Sequence, residues 1–510
     1  FNLQQDFFEP VEQNTQYEFE ETNDLNINLG TDAVNAEKEE KKFKLILLMD
    51  NWTMQDIFLK MVNEVEYYHN KTIFQATWNR KIMHPDYKFK PRNLFNTILL
   101  HLSEESRDIL KNQGINIDEK YKHPLFNYIN YWKYLNFLFM RDLIYDSGID
   151  KSKVSIIKNE ILKLFINKNT NFVHLTILNH LTCVPIYLDY QPHLISGFEC
   201  CFSKLESIHC NNYFNQDILK ELAKICKSIK ELKFDIICQN TTSGIIELIE
   251  VQKNLIDVNF SKFVRFNNRL FIRYLEESLI KHADTIQCLK INRIPILKLK
   301  KFLSYFVSLL RLEIVFNKFW DDSDKENLTL PILKALKVRL VSPNIVINII
   351  ENTKGHLSEI CLDYDDYHDN GIEKIIQAIY QNCSNLQYLK LLCEIGSLIS
   401  ELENLLINCQ FLNELVIDAL NNFDMDKLFI LLTKFSPITL FKFEFIDYRI
   451  NSDDIKLFFD NWKDRNPMLL KLMYQRISIS NEIEQQLEDL VEEYKAKGII
   501  KKYFFGCYSV

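Results

Sequence analysis

The sequence predicts an α/β solenoid: a curved parallel sheet on the inside, helices on the outside, and a helical segment ahead of it. Three observations lead there. A short phrase, apolar-x-x-apolar-x-apolar, recurs about every 27 residues from near residue 170 onward. Between its copies the apolar spacing switches to that of an amphipathic helix. Glycine is scarce, 10 in 510 residues, and no two glycines stand close enough to write G-x-G, so the dinucleotide fingerprint is missing. The phosphate loop G-x-x-x-x-G-K-[ST] and the nucleophile elbow G-x-S-x-G are missing too. Hydrophobic residues make up 47% and charged residues 25%, the composition of a folded chain with a large core.

Residues 1–42 carry eleven acidic and three basic side chains, with apolar positions in no period, and are expected to be a disordered acidic tail. Residues 43–90 are expected to be helical, and 91–165 to form a helical linker or cap. In the latter, Pro91 opens a run that places Leu94, Ile98, Leu99 and Leu102 on one face. Phe126 to Asp146 is a second helix candidate whose aromatic stripe belongs to the core.

The repeats occupy 166–480. Copies run from Phe172-x-x-Leu175-x-Ile177 through Ile229-x-x-Leu232-x-Phe234 and Leu386-x-x-Leu389-x-Leu391. The last ones read as Ile438-x-x-Phe441-x-Phe443 and Leu469-x-x-Leu472-x-Tyr474. The alternating half of each phrase is a short strand with one buried face. Ile218, Leu219, Leu222, Ile225 and Cys226 show the intervening helix at i, i+1, i+4, i+7 and i+8. One strand and one helix cannot bury their own apolar surface, so neighbours must stack; the repeat length matches that of leucine-rich repeats. Residues 481–510 are expected to cap the stack.

Acidic residues outnumber basic ones by 69 to 61, for a net charge of -8 and a pI near 5.9, which gives no basic footprint for nucleic acid. No apolar run approaches a membrane span, and the acidic start FNLQQDFFEPVEQ has neither the basic region nor the apolar stretch of a signal peptide. All twelve cysteines lie at or after Cys183 without a C-x-x-C pair, so reduced thiols in cytoplasm or nucleus are expected. No metal, cofactor or catalytic constellation stands out. His209-Cys210 sets imidazole beside thiol in sequence, but strand neighbours face opposite ways.

Recognition is expected on the exposed face of the sheet. From Lys233 on, the place between the last two anchors holds Lys233, Lys290, Glu313, Lys337, Lys390 and Lys442, with Asn259, Cys361 and Val416 on the intervening rungs and Arg311 and Glu359 in the neighbouring column. This charge-mixed concave face is read either as a lysine ladder for an acidic protein partner or as a solvated strand face.

Several copies carry a cysteine three residues ahead of the phrase: Cys226 before Ile229, Cys383 before Leu386, Cys409 before Leu412. The pattern resembles the cysteine-containing leucine-rich repeats of F-box proteins, the substrate adaptors of cullin-based ubiquitin ligases. The layout over about residues 90 to 475 looks like the F-box/leucine-rich-repeat families of certain fungi. The resemblance implies ligase docking by an N-terminal F-box and target capture by the repeats. The F-box candidate spans about 43–83, with Ile57, Phe58 and Leu59 as the central apolar triplet and Trp78 as the closing aromatic. The family's Leu-Pro opening is absent, so the element is degenerate, and a helical cap over the first repeat is the other reading.

The expected function is non-enzymatic protein binding: a substrate-recognition adaptor of an SCF-type ligase, partnered by a protein target and the ligase's adaptor subunit. Neither nucleic acid nor membrane is expected as a partner, and no cofactor. A scaffold without a ligase link, and a regulator or enzyme built on repeats, are the alternatives.

Overall fold

The computed structural model describes residues 91–115, 128–178, 191–211, 215–237, 243–262, 268–294, 296, 298–320, 328–364, 371–393, 398–419, 425–446, 452–463, 465–475 and 481–508. The candidate tail and the candidate F-box, with Ile57, Phe58, Leu59 and Trp78, lie outside them. The chain divides into two compact units, Phe1–Phe172 with Leu194–Cys201, and Val173–His193 with Phe202–Val510.

The first unit is largely helical. Helices Pro91–Leu100, Glu104–Asn112, Phe137–Asp146 and Val154–Phe165 bury Leu99, Leu110, Leu143, Ile157 and Phe165. Ser103 caps the second helix by accepting the Ser106 N–H at 3.2 Å. Ser106 Oγ in turn donates to the buried Glu160 carboxylate at 2.6 Å, which also meets Lys163 at 2.8 Å. The helix expected from Phe126 instead begins at Phe137, because the Asn136 side chain accepts the N–H groups of Leu138 and Phe139 and caps the chain there. Before it come a 3-10 turn at Tyr128–Tyr131 and a short strand β1, Tyr134–Asn136. Gly197, at φ +101°, turns where a Cβ would sit 2.8 Å from the Asn167 backbone, so only glycine fits.

The second unit is a leucine-rich-repeat solenoid. Its strands are β2 His174–Ile177, β3 Ser207–Asn211, β4 Glu231–Ile236, β5 Asp257–Lys262, β6 Cys288–Asn292, β7 Arg311–Trp320 and β8 Ala335–Val341. They continue with β9 Glu359–Asp363, β10 Tyr388–Cys393, β11 Glu414–Ala419, β12 Lys442–Ile446, β13 Met468–Gln475 and β14 Ile500–Tyr508. Each pairs in parallel with the next in sequence order, so the sheet has no crossover out of turn. Helices such as Gln216–Ile225, Ile372–Asn382 and Met425–Phe435 return the chain along one side of the sheet. Strands stack about 4.8 Å apart but helices need about 8–10 Å, so the stack bends toward its strands.

The phrase anchors form the core. Leu232 pairs with Val258, Val258 with Leu289 and Leu289 with Leu312, and all four are buried. The two last phrases sit differently from expectation. Leu415 and Ile417 pair with Phe443 and Phe445, and these pair with Leu470 and Leu472. The anchors are therefore Leu440, Phe443 and Phe445, while Ile438 is 76% exposed. Both frames put apolar residues on the same face, since a two-residue slip preserves the inside–outside alternation. Aromatic packing of Phe443 and Phe445 against the helix decides between them.

The cysteine position acquires a physical role. Cys226 Sγ donates to the Phe202 carbonyl at 3.0 Å, and Cys409 Sγ lies 3.8 Å from the Cys383 carbonyl. The acceptor in each case occupies the same position one repeat earlier. At the equivalent place Gln252 donates to the Cys226 carbonyl at 3.0 Å and accepts the Ile229 N–H at 2.9 Å. In these three repeats a small or bendable donor satisfies the carbonyl where the helix turns into its strand, and a buried carbonyl left unpaired would cost about 1–3 kcal/mol.

Burial pushes the thiols of Cys226, Cys383 and Cys409 up to about 12. Their ionised fraction at pH 8 is then about one in ten thousand. Under native conditions an alkylating reagent is expected to modify the exposed Cys200 and to spare these three until the chain unfolds, as peptide mass mapping would show. Because their folded values lie above the ~8.5 of an unfolded thiol, the stability they contribute is complete below that pH. It declines as pH rises from there toward 12.

Candidate functional site

No helix among the described residues is long and apolar enough to cross a membrane, and among them no group of three or more His, Cys, Asp or Glu is placed to hold a metal ion. The surface that the fold builds most extensively is the sheet face away from the helices. Strand alternation sends three residues per repeat to it: one before the middle anchor, one between the anchors, one after the last.

The middle column contains Lys233, Lys290, Glu313, Lys337 and Lys390, as the spacing predicts. Lys233 pairs across with Asn259, Lys290 with Glu313, Glu313 with Lys337, and Lys390 with Cys361. Arg311 and Glu359 fall in the first column on either side of Ala335. Lys442 does not belong to the middle column. It pairs with Glu414 and so joins the column of Arg311 and Glu359; Glu444 and Lys471 continue the middle column in its place.

Four of the face's lysines meet carboxylates of their own sheet. Glu313 lies 2.8 Å from Lys337 and 3.8 Å from Lys290, bridging β6, β7 and β8. Lys442 meets Glu414 at 3.4 Å and Lys471 meets Glu444 at 3.1 Å. Each such pair is worth little to folding, about 0–1 kcal/mol where solvent reaches it. Their effect is to fix long side chains in place across neighbouring rungs.

Between Lys337 and Lys390 the Cys361 thiol is buried, and burial raises it to about 12. Tyr388, beside Glu359 and Glu414 in register, is likewise held in its phenol form, chiefly by burial and then by the surrounding acids. One oxygen of Glu359 is buried with no hydrogen-bond partner.

The third column was not anticipated, although the period of two continues one step past the last anchor and points to it. It places Asp235 against His209 at 2.8 Å and Arg339 against Asp363 at 3.6 Å. Cys210, next to His209, is buried on the opposite face, so thiol and imidazole do not meet. The polar character of the face also changes along the stack. Over β3–β6 it presents Ser207, His209, Asp257, Asn259 and Ser261, whereas β12–β14 present Ile446, Leu469, Met473 and Phe504.

No family model matches the sequence, and no curated protein matches it. Solved structures with a similar course include the leucine-rich repeat-containing protein LegL7 from Legionella pneumophila, at 13% identity and a TM-score of 0.31, covering 66% of this chain and 90% of that one. The complex of Rad7 and Elc1 in yeast is similar at 14% identity and a TM-score of 0.34, covering 85% of this chain and 97% of that one.

Proposed function

We propose that this chain is a non-enzymatic binding protein that captures a protein partner on the open face of its sheet. The observation that carries this reading is the set of cross-strand charge pairs on that face: His209–Asp235, Lys290–Glu313–Lys337, Arg339–Asp363, Lys442–Glu414 and Lys471–Glu444. Side chains already fixed by cross-strand pairs lose little further freedom on binding, which favours recognition of a macromolecular surface. The mixture of both signs in these pairs favours a protein, whose own surface mixes charges, over the uniform phosphates of nucleic acid.

The resemblance to F-box/leucine-rich-repeat proteins extends the proposal to delivery. In that reading the captured protein is presented for ubiquitination by an SCF-type cullin ligase, and residues 43–90, with Ile57, Phe58, Leu59 and Trp78, dock the ligase's adaptor subunit. The reduced cysteines of the described residues suit cytoplasm or nucleus. The full chain is expected to pull down the adaptor subunit, and deletion of 43–90 to abolish that capture. Absence of capture by the full chain would reject the adaptor role and leave a scaffold without a ligase link.

A further inference from the structure

The sheet ends at β14, and among the described residues no strand pairs with its outer edge. Edge strands offer unpaired N–H and C=O groups to any chain that can extend the sheet. β14 is nine residues long and pairs with β13 from Ile500 to Tyr508, in even register from Lys502 onward after a bulge at Lys501. On the open face it shows, in order, Lys502, Phe504 and Gly506, paired in register with Leu469, Lys471 and Met473.

This stretch is unlike the rest of the face. Phe504 is 55% exposed. Its ring and the Met473 thioether converge above Gly506: a Cβ there would lie 2.6 Å from the ring and 2.7 Å from the sulfur. Glycine thus lets an aromatic ring and a polarizable sulfur form one apolar platform at the sheet's end. Around it the charge is basic. Lys501 and Lys502 are exposed, and Lys471 lies 5.9 Å from the Phe504 ring centre. Lys471 is itself paired with the Glu444 carboxylate of the neighbouring strand.

We propose that the outer edge of β14 receives an extended segment of the partner protein as an added strand, with a carboxylate two residues away from an apolar side chain. The spacing follows from the pleat. A strand paired with β14 sets alternate residues on the open face, so one lies beside Lys502 and the next beside Phe504 and Gly506. Lysine selects an acid at the first place. The platform selects an apolar side chain at the second, which packs on the Phe504 ring and the Met473 thioether that fill the space over Gly506. This rests on the reading of the open face as a protein-binding surface and names the end of it where the partner is anchored.

The test uses the full chain and short fluorescent peptides with Glu and Leu two residues apart, in both orders, read by anisotropy. One order is expected to bind. Phe504→Ser is expected to weaken it about tenfold, as loss of an aromatic anchor does. Lys502→Glu is expected to weaken it as well and to be rescued by a peptide carrying Lys in place of Glu. Binding by neither peptide, or binding indifferent to both substitutions, overturns the proposal. The broader reading is checked separately by partner recovery from cells. If Lys337→Glu abolishes recovery while the peptides ignore β14, the open face stands and the edge proposal falls.

Discussion

Replacing Phe445 by alanine is expected to destabilise the solenoid by about 3–5 kcal/mol, while Phe441→Ala, at a partly buried ring, costs clearly less and Ile438→Ala leaves its unfolding midpoint nearly unchanged. Phe445 is fully buried. Its ring lies 5.3 Å from Phe429 and 6.1 Å from Phe458. Phe443 beside it reaches Phe458 at 5.4 Å and Trp462 at 5.2 Å. Removing one ring from such a cluster loses both the buried area and the edge-to-face contacts, and the close-packed neighbours relax only in part. Ile438, on the turn before the strand, has almost nothing to lose. Denaturant titrations of the three variants distinguish the two frames, because the frame starting at Ile438 ranks Phe441 as the central anchor.

That slip shows where the sequence was legible. The repeat, the helix between strands and the burial of the anchors follow from periodicity, because any stack of strand–helix units must bury those faces. Register in the last two copies does not, because Ile438, Leu440, Phe441, Phe443 and Phe445 match the phrase in two frames of equal inside–outside parity. Evenness of spacing was the available signal. Leu415 to Phe443 is 28 residues and Phe443 to Leu470 is 27, steadier than the steps to Phe441 and Leu472. Helix starts were less legible. The apolar stripe from Phe126 carries no mark of its beginning except Asn136, whose capping role depends on a backbone conformation rather than on a period.

The candidate site was legible to the same depth. Columns of lysine and glutamate come directly from strand alternation, which fixes who faces outward. Which side chains meet depends on cross-strand register and on rotamers, so the sharing of Glu313 between Lys290 and Lys337 emerges only from the folded sheet. The same limit hid the platform at Gly506. A scarce glycine in sequence reads as a turn, and its place in the middle of a strand under Phe504 and Met473 requires the packing to be seen.

Glu313→Lys is expected to be the most damaging single change to partner capture that leaves the fold intact. In the native sheet Glu313 holds Lys337 at 2.8 Å and Lys290 at 3.8 Å, with Arg311 two residues away on the same strand face. Reversal places a cation among three others on strands about 4.8 Å apart. Like charges directly opposite one another are destabilising, so Lys290 and Lys337 must swing apart. Because the Glu313 side chain is only 20% exposed and that of Lys337 15%, the cost to folding is about 1–3 kcal/mol, a small part of what a core this large supplies. Binding responds more strongly, since a partner built for alternating signs now meets a block of one sign, and like-charge juxtaposition in an interface costs several kcal/mol. Affinity measured for a recovered partner should fall more than tenfold, with association slowed most at low salt, where screening is weakest. Lys337→Gln, which removes one charge without reversing any, should lose much less. Equal losses for the two variants would mean that the open face binds through shape and apolar contact alone. Capture unaffected by either would move the binding surface off the β6–β8 rungs altogether.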